Sequence, residues 1–202
     1  MTRLGVPTWL KRGSWSRVAV LDTCVLVPMP LVDVLLTFAE AGLYRPYWSA
    51  DIISELHRVL TGKYSMQPAK VESRISHMER AFPDASVEGY RHLIPQLTNH
   101  PKDRHVLAAA ITAEAQYIVT ANLKDFPNSA LAPYGITAVS PDEFLVELFT
   151  EFPDIVGNAV EKLRSNYSQP AVSITEFYGA LAKSVPVFAL HQNIPPEQIL
   201  DT

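Results

Sequence analysis

Short apolar runs alternate with amphipathic runs along most of the chain. Three apolar runs, 17–22, 117–122 and 136–140, have the length and β-branched content of buried strands, and 44–48 favours a further short strand. The run 17–22 lacks the polar alternation of a half-exposed strand, which is typical of parallel sheets. The pattern therefore predicts a sheet that is buried on both faces.

Helical spacing of apolar residues fills the intervals between these strands. In 50–60, Ile52, Leu56 and Leu60 fall on one face, and Ser49 precedes them as an N-cap. The other helices predicted in this part of the chain are 30–42, 67–83, 101–115 and 141–149. Strands that alternate with helices over about 130 residues predict an α/β layer fold with a mainly parallel sheet.

The strands disappear in the last quarter of the chain. Two further helices are predicted at 153–166 and 173–185, with no strand between them. We therefore expect three parts: an N-terminal extension at 1–16, an α/β domain at 17–145 and a helical C-terminal extension at 146–202.

Composition and charge narrow the function classes. The 202 residues are 48% hydrophobic, enough for a sizeable core, and the formal net charge of −4 argues against nucleic-acid binding through overall charge. A single cysteine, Cys24, excludes an intramolecular disulfide and a multi-cysteine zinc site. No run resembles a signal peptide or a membrane helix, so we expect a soluble cytoplasmic protein.

Polar groups collect where the predicted strands end. Asp22 ends the first strand, Asn122 and Asp125 follow the strand at 117, and Asp103 lies in the first turn of the helix that precedes it. Ligands of open parallel sheets gather beyond the carboxyl ends of the strands. Glu55 lies at the border of the apolar stripe of its helix, so its side chain is expected to face the same cleft.

Four carboxylates in one cleft would repel one another unless a divalent cation neutralised them. Oxygen ligands suit Mg2+ or Mn2+, and such ions promote phosphodiester hydrolysis. The six histidines show no pair at metal-ligand spacing. We interpret His100 as a cap before Pro101, and His105 as an exposed residue of the first helical turn.

Four segments resemble the signature segments of PIN-domain nucleases, in the same order, and are most similar to bacterial VapC-type toxins. They are "VAVLDTCVLV", "WSADIISELHRVL", "HPKDRHVLAAAI" and "YIVTANLKDFP". The resemblance covers roughly 17–145 and implies a three-layer α/β/α fold. It also implies that Asp22, Glu55, Asp103 and Asp125 form an acidic metal site supported by Thr120 and Asn122.

The resemblance further implies an endoribonuclease dependent on Mg2+ or Mn2+, a cognate antitoxin protein as partner and a homodimer. Cys24 and Asn122 depart from the family pattern, because many members have asparagine or serine at the first position and aspartate at the second. One bound ion is therefore as compatible with the sequence as two. The predicted RNA contacts are Lys63, Lys102, Arg104 and Lys124.

Two other kinds of protein share some of these sequence features. A catalytically silent PIN-like module that binds RNA or protein would keep the fold without turnover. A haloacid-dehalogenase phosphatase needs a second aspartate where Cys24 stands, and a dinucleotide-binding domain needs a glycine-rich turn after the first strand, where none is found. A serine-hydrolase elbow is also absent from the sequence.

Overall fold

The computed structural model describes residues 17–167 and 173–191. The predicted N-terminal extension 1–16 and the end of the predicted C-terminal extension, 192–202, lie outside the described residues. The predicted division into three parts therefore stays a prediction.

Five strands form one sheet in which every neighbouring pair is parallel. The strands are β1 (Val18–Leu21), β2 (Arg45–Ser49), β3 (Ser86–Val87), β4 (Tyr117–Val119) and β5 (Thr137–Val139). Their order is β3-β2-β1-β4-β5, so the chain builds one half of the sheet outward from β1 and then returns to build the other half. The predicted parallel sheet is confirmed. The two-residue strand β3 was missed.

Ten α-helices flank the sheet or follow it within the described residues, as in a three-layer α/β/α fold. They are α1 (Thr23–Leu26), α2 (Met29–Glu40), α3 (Ala50–Gly62), α4 (Pro68–Ala81), α5 (Arg104–Thr112), α6 (Asn128–Leu131), α7 (Pro141–Glu151), α8 (Pro153–Asn166), α9 (Ile174–Ala182) and α10 (Pro186–His191). Short 3-10 turns occur at Tyr90–Gln96, Pro101–Asp103, Leu123–Asp125 and Ala132–Tyr134.

The predicted helix 101–115 is shorter than expected at both ends. Pro101 opens a 3-10 turn, and Asp103 has φ −106° and ψ 7°, so it caps α5 instead of lying within its first turn. At the other end Glu114 adopts φ 51°, a left-handed conformation that an α-helix does not continue through. Asp103 therefore lies at the very start of α5, as its N-cap residue.

Helix α5 is the buried centre of the fold. Its residues from Val106 to Ala110 are all buried, and the helix packs against β1, β2, β4 and the turn Tyr90–Gln96. The three consecutive alanines allow this close approach from several sides. Because α5 leads into β4 of a parallel sheet, its N-terminus lies at the carboxyl edge of the strands.

The C-terminal helices pack onto the α/β layers. Helices α8 and α9 contact α2, and the ring of Phe188 in α10 lies 5.8 Å from the ring of Phe38 in α2. Asp142 at the start of α7 accepts backbone hydrogen bonds from Val187 and Phe188, at 3.0 and 2.8 Å. In the part of the chain that the structure describes, no helix is long and apolar enough to cross a membrane.

Candidate metal centre

Asp22 and Thr120 lie side by side at the point where the strand order reverses. Asp22 follows β1 and Thr120 follows β4, and both residues are buried, with Asp22 only 3% exposed. The Thr120 hydroxyl donates to Oδ2 of Asp22 at 2.7 Å, and the thiol of Cys24 donates to the same oxygen at 3.2 Å. Neither donor contacts Oδ1, which is left available to a ligand.

Glu55 is held at the opening of the same site. Thr23 donates its hydroxyl to Oε2 of Glu55 at 3.1 Å, and Arg58 donates to Oε1 at 3.3 Å. The carboxylate therefore faces α1, as the position of Glu55 on its helix predicts. His105 approaches from α5, with Nε2 at 3.8 Å from Oε2.

Three of the four predicted carboxylates line one pocket of about 230 Å³. Its walls are formed by Asp22, Thr23, Cys24, Val27, Pro28, Glu55, Val59, Lys63, Tyr64, Asp103 and Asn122. The pocket is thus lined by residues at the end of β1, in α1, in and just after α3, at the start of α5 and after β4. The role of these carboxylates as metal ligands stays a prediction.

Asp125 lies beside this pocket but does not form part of its wall. It ends the 3-10 turn Leu123–Asp125 and joins Asp103 and His100 in a cluster whose ligand atoms all lie within 4.8 Å of one another. His100 is the N-cap residue of the 3-10 turn Pro101–Asp103, as its place before Pro101 predicts, but its side chain makes no capping hydrogen bond. Its Nδ1 lies 3.0 Å from Oδ2 of Asp103 instead.

The carboxylates influence one another electrostatically. Burial raises the pKa of Asp103, and the negative charges of Asp22 and Asp125 raise it further, while the hydrogen bond with His100 opposes the shift. Burial, followed by the charge of Asp22, raises the pKa of the Cys24 thiol to about 12. Cys24 therefore remains a neutral thiol near pH 7 and serves as a hydrogen-bond donor, not as a nucleophile.

These residues fit a hard divalent cation. Carboxylate oxygens from separate elements converge, and the mutual repulsion that raises the pKa of Asp103 is the repulsion that a cation would relieve. Asp22, Glu55 and Asp103 offer oxygen atoms from the pocket wall, and Asp125 offers another from the adjoining turn.

We expect Asp103→Asn to stabilise the metal-free protein at pH 7 and so to raise its Tm. The pKa of Asp103 is higher in the folded protein than in the unfolded chain, so ionisation of this carboxyl costs stability as the pH rises. The gain should disappear below pH 3.8, the ordinary pKa of aspartate, where both states are protonated. Thermal unfolding in chelator across this pH range measures it, and a lower Tm for the variant at pH 7 would contradict the electrostatic account.

The Thr120→Val variant tests whether the hydroxyl of Thr120 holds the carboxylate of Asp22 in place. Besides its bond to Asp22, the Thr120 hydroxyl accepts a hydrogen bond from the backbone N–H of Asn122 at 3.0 Å. Loss of this buried hydroxyl should lower the free energy of unfolding by about 1–3 kcal/mol and the affinity for Mn2+ about tenfold. Urea unfolding and Mn2+ titration provide the two readouts. Thr120→Ser keeps the hydroxyl and is the matched control; equal losses in the two variants would show that the hydroxyl is not responsible.

The four basic residues predicted to contact RNA lie in different surroundings. Lys63 lies on the wall of the pocket, while Lys102 and Lys124 are exposed on the two turns that carry Asp103 and Asp125. Arg104 is half-buried and donates from Nε to the carbonyl of Asn99 at 3.2 Å. Binding of RNA by these side chains stays a prediction.

Sequence comparisons agree with this geometry. A family model described as PIN domain matches residues 18–124, and one described as VapC50 C-terminal domain matches residues 141–191. A protein of Mycobacterium tuberculosis (strain ATCC 25618 / H37Rv) named "Putative ribonuclease VapC50" is 42% identical over 101 residues. The alignment covers 50% of this chain and 60% of that protein.

No solved structure matches the chain significantly. The match to the PIN domain nevertheless spans more than half of the 202 residues and contains β1, β2, β3, β4 and every pocket residue named above. The resemblance found in the four sequence segments is thereby confirmed, and the chain belongs to the PIN-domain family.

Proposed function

We propose that the chain is a metal-dependent endoribonuclease that hydrolyses phosphodiester bonds of RNA, and that it is the toxin of a type II toxin–antitoxin pair. The observation that carries the proposal is the convergence of Asp22, Glu55 and Asp103 on one pocket at the carboxyl edge of the sheet. The name of the mycobacterial relative, a ribonuclease, supports the same activity.

A bound Mg2+ or Mn2+ would neutralise charge on the phosphate and activate water for attack on phosphorus. Asp22, Asp103 and Asp125 would hold the ion, and Thr120 keeps the carboxylate of Asp22 in place by donating to Oδ2. Because one oxygen of Asp22 is fixed in this way, its rotation is restricted and the other oxygen is presented to the pocket.

Glu55 orients the attacking water by accepting its hydrogen bond. Its carboxylate is itself held from both sides, by Thr23 at Oε2 and by Arg58 at Oε1. When the water oxygen bonds to phosphorus, the water gives up a proton to solvent and one P–O ester bond breaks. The leaving oxygen takes up a proton from solvent, so one RNA fragment keeps the phosphate and the other ends in a hydroxyl. The 2′-hydroxyl of RNA takes no part in this chemistry.

An acidic pocket repels the RNA backbone, so local cations are required to bring a phosphate close. Lys63 lies on the pocket wall, and its Nζ lies 5.6 Å from the centre of the ring of Tyr64. Tyr64 is an exposed residue of the pocket wall, where a nucleobase next to the scissile phosphate could stack on it. Lys102 and Lys124 extend this basic surface on the side of Asp125.

The proposed toxin role requires other molecules that interact with the chain. We propose tRNA or rRNA as substrate, a cognate antitoxin protein that blocks the pocket, and a homodimer of the chain. A cytoplasmic location follows from the proposed substrate. Mg2+ and Mn2+ are both compatible with the oxygen donors of the pocket.

The proposed function is tested with purified protein and a mixed pool of tRNA and rRNA, in Mg2+, in Mn2+ and in chelator. We expect discrete fragments in the presence of metal only, with phosphate monoesters and no cyclic phosphates at the new ends. A substrate carrying a 2′-deoxy sugar at the mapped site should still be cut. RNA that is bound but not cut by folded, metal-loaded protein would favour the silent binding module instead.

A further inference from the structure

We infer that the imidazole of His100 is a nitrogen ligand of the metal centre, and that it biases the centre toward Mn2+ and other transition-metal ions over Mg2+. The inference rests on the proposed function to the extent that both require a cation at this edge of the sheet. It adds a residue outside the four acidic positions, and a preference between the two ions that oxygen donors alone leave open.

The spacing of the His100, Asp103 and Asp125 cluster fits an ion. One ligand atom of each residue lies within 4.8 Å of the others, and Nδ1 of His100 lies 3.0 Å from Oδ2 of Asp103. Adjacent ligands of an octahedral ion with bonds of about 2.1 Å are separated by roughly 3 Å. A cation can therefore bind between these atoms without a large movement of the chain.

Two backbone hydrogen bonds hold His100 between the two carboxylates. The N–H of His100 donates to the carbonyl of Asp125 at 3.2 Å, and the N–H of Asp103 donates to the carbonyl of His100 at 2.9 Å. Pro101, which follows, restricts the backbone of the turn. The side chain is 46% exposed, so an ion can reach it from solvent.

The same distance is also compatible with a simple ion pair between His100 and Asp103. The two cases differ in one proton, because the ion pair requires a proton on Nδ1, whereas a metal ligand requires the free electron pair of that atom. Direct detection of nitrogen bound to the metal therefore separates them. The nearby imidazole of His105 must be distinguished as well, since its Nε2 lies 3.8 Å from Glu55.

The expected ion preference follows from ligand chemistry. Imidazole nitrogen binds transition-metal ions well, whereas Mg2+ prefers oxygen ligands and water. Replacing His100 by alanine should therefore raise the Kd for Mn2+ about tenfold and change the Kd for Mg2+ by less than about twofold.

The experiment is pulsed electron paramagnetic resonance of the full chain loaded with Mn2+, together with Mn2+ and Mg2+ titrations. We expect hyperfine coupling to nitrogen in the wild type and in His105→Ala, and its loss in His100→Ala. His77→Ala is the matched control, because His77 is an exposed histidine on α4 whose Nδ1 contacts the carbonyl of Ser73. Circular dichroism checks that each variant is folded.

Each contrary result has a separate meaning. Saturable Mn2+ binding without nitrogen coupling in the wild type would overturn the role of His100 and leave the proposed nuclease standing. Nitrogen coupling that persists in His100→Ala would also overturn it. No saturable Mn2+ binding by the wild type would overturn both this inference and the metal-dependent mechanism.

Discussion

Asp103→Asn should lower the rate of RNA cleavage by at least about a thousandfold, the loss expected when several kcal/mol of metal-assisted charge stabilisation are removed. Asp103 belongs to two groups of residues. It lines the pocket together with Asp22 and Glu55, and it also lies in the cluster with Asp125 and His100. Asparagine has nearly the same shape but removes one negative charge.

Asp22→Asn should cause a loss of similar size, because Asp22 is buried at the strand end and one of its oxygens is already engaged by Thr120. Asp154→Asn is the matched control, since Asp154 lies exposed in the first turn of α8. Initial rates on one RNA with a mapped cleavage site, with Tm recorded for each variant, provide the measurement. A folded Asp103→Asn protein that cuts as fast as the control would count decisively against the acidic centre.

Phe188→Ala should destabilise the whole protein by about 3–5 kcal/mol. The side chain is fully buried and meets Phe38 of α2 edge to face, and its backbone N–H donates to Asp142. Helix α10 thereby joins α7 to a helix of the α/β layers. Losing the ring would open a cavity at this junction, so unfolding of the α/β layers should be affected together with that of the C-terminal helices.

Urea unfolding followed by tryptophan fluorescence measures the effect, because Trp48 lies in β2, within the α/β layers. Val187→Ala is the control: the neighbouring side chain is 49% exposed, and its loss should change stability by no more than about 0.5 kcal/mol. Similar unfolding curves for the two variants would mean that the C-terminal helices unfold independently of the sheet.

The sequence predicted the parts of the fold that depend on local periodicity. The strand before Asp22, the helix that carries Glu55 and the alternation of strands and helices all follow from the spacing of apolar residues. These features also predicted which edge of the sheet would gather the carboxylates. Strand β3 was not predicted, because its two residues, Ser86 and Val87, are too few to show a periodic pattern.

The parts of the centre that the sequence missed are contacts between distant segments. The hydroxyl of Thr23 in α1 donates to the carboxylate of Glu55 in α3, which is 32 residues away in the sequence. His105 was expected to be exposed, yet its side chain is only 16% exposed, because α3 packs against α5. The spacing of apolar residues along the sequence does not predict burial that arises from packing between two helices.

The contact between His100 and Asp103 was also not predicted from the sequence. Its distance of three residues from Asp103 is visible in the sequence, but the 3-10 turn that brings the two side chains together is not. The approach of Asp125 depends in addition on the backbone hydrogen bond from His100. The sequence therefore predicted the position of His100 before a turn, but not the approach of its side chain to the two carboxylates.

The most direct test of the acidic centre is an anomalous difference map from a crystal of this protein soaked in Mn2+, recorded near the manganese absorption edge. We expect a peak beside the carboxylate of Asp103, where the pocket lined by Asp22 adjoins the cluster of Asp125 and His100, and its loss in Asp103→Asn crystals. Crystals that diffract well and show Mn2+ only elsewhere on the protein, or nowhere, would contradict the assignment of this pocket as a divalent-metal centre.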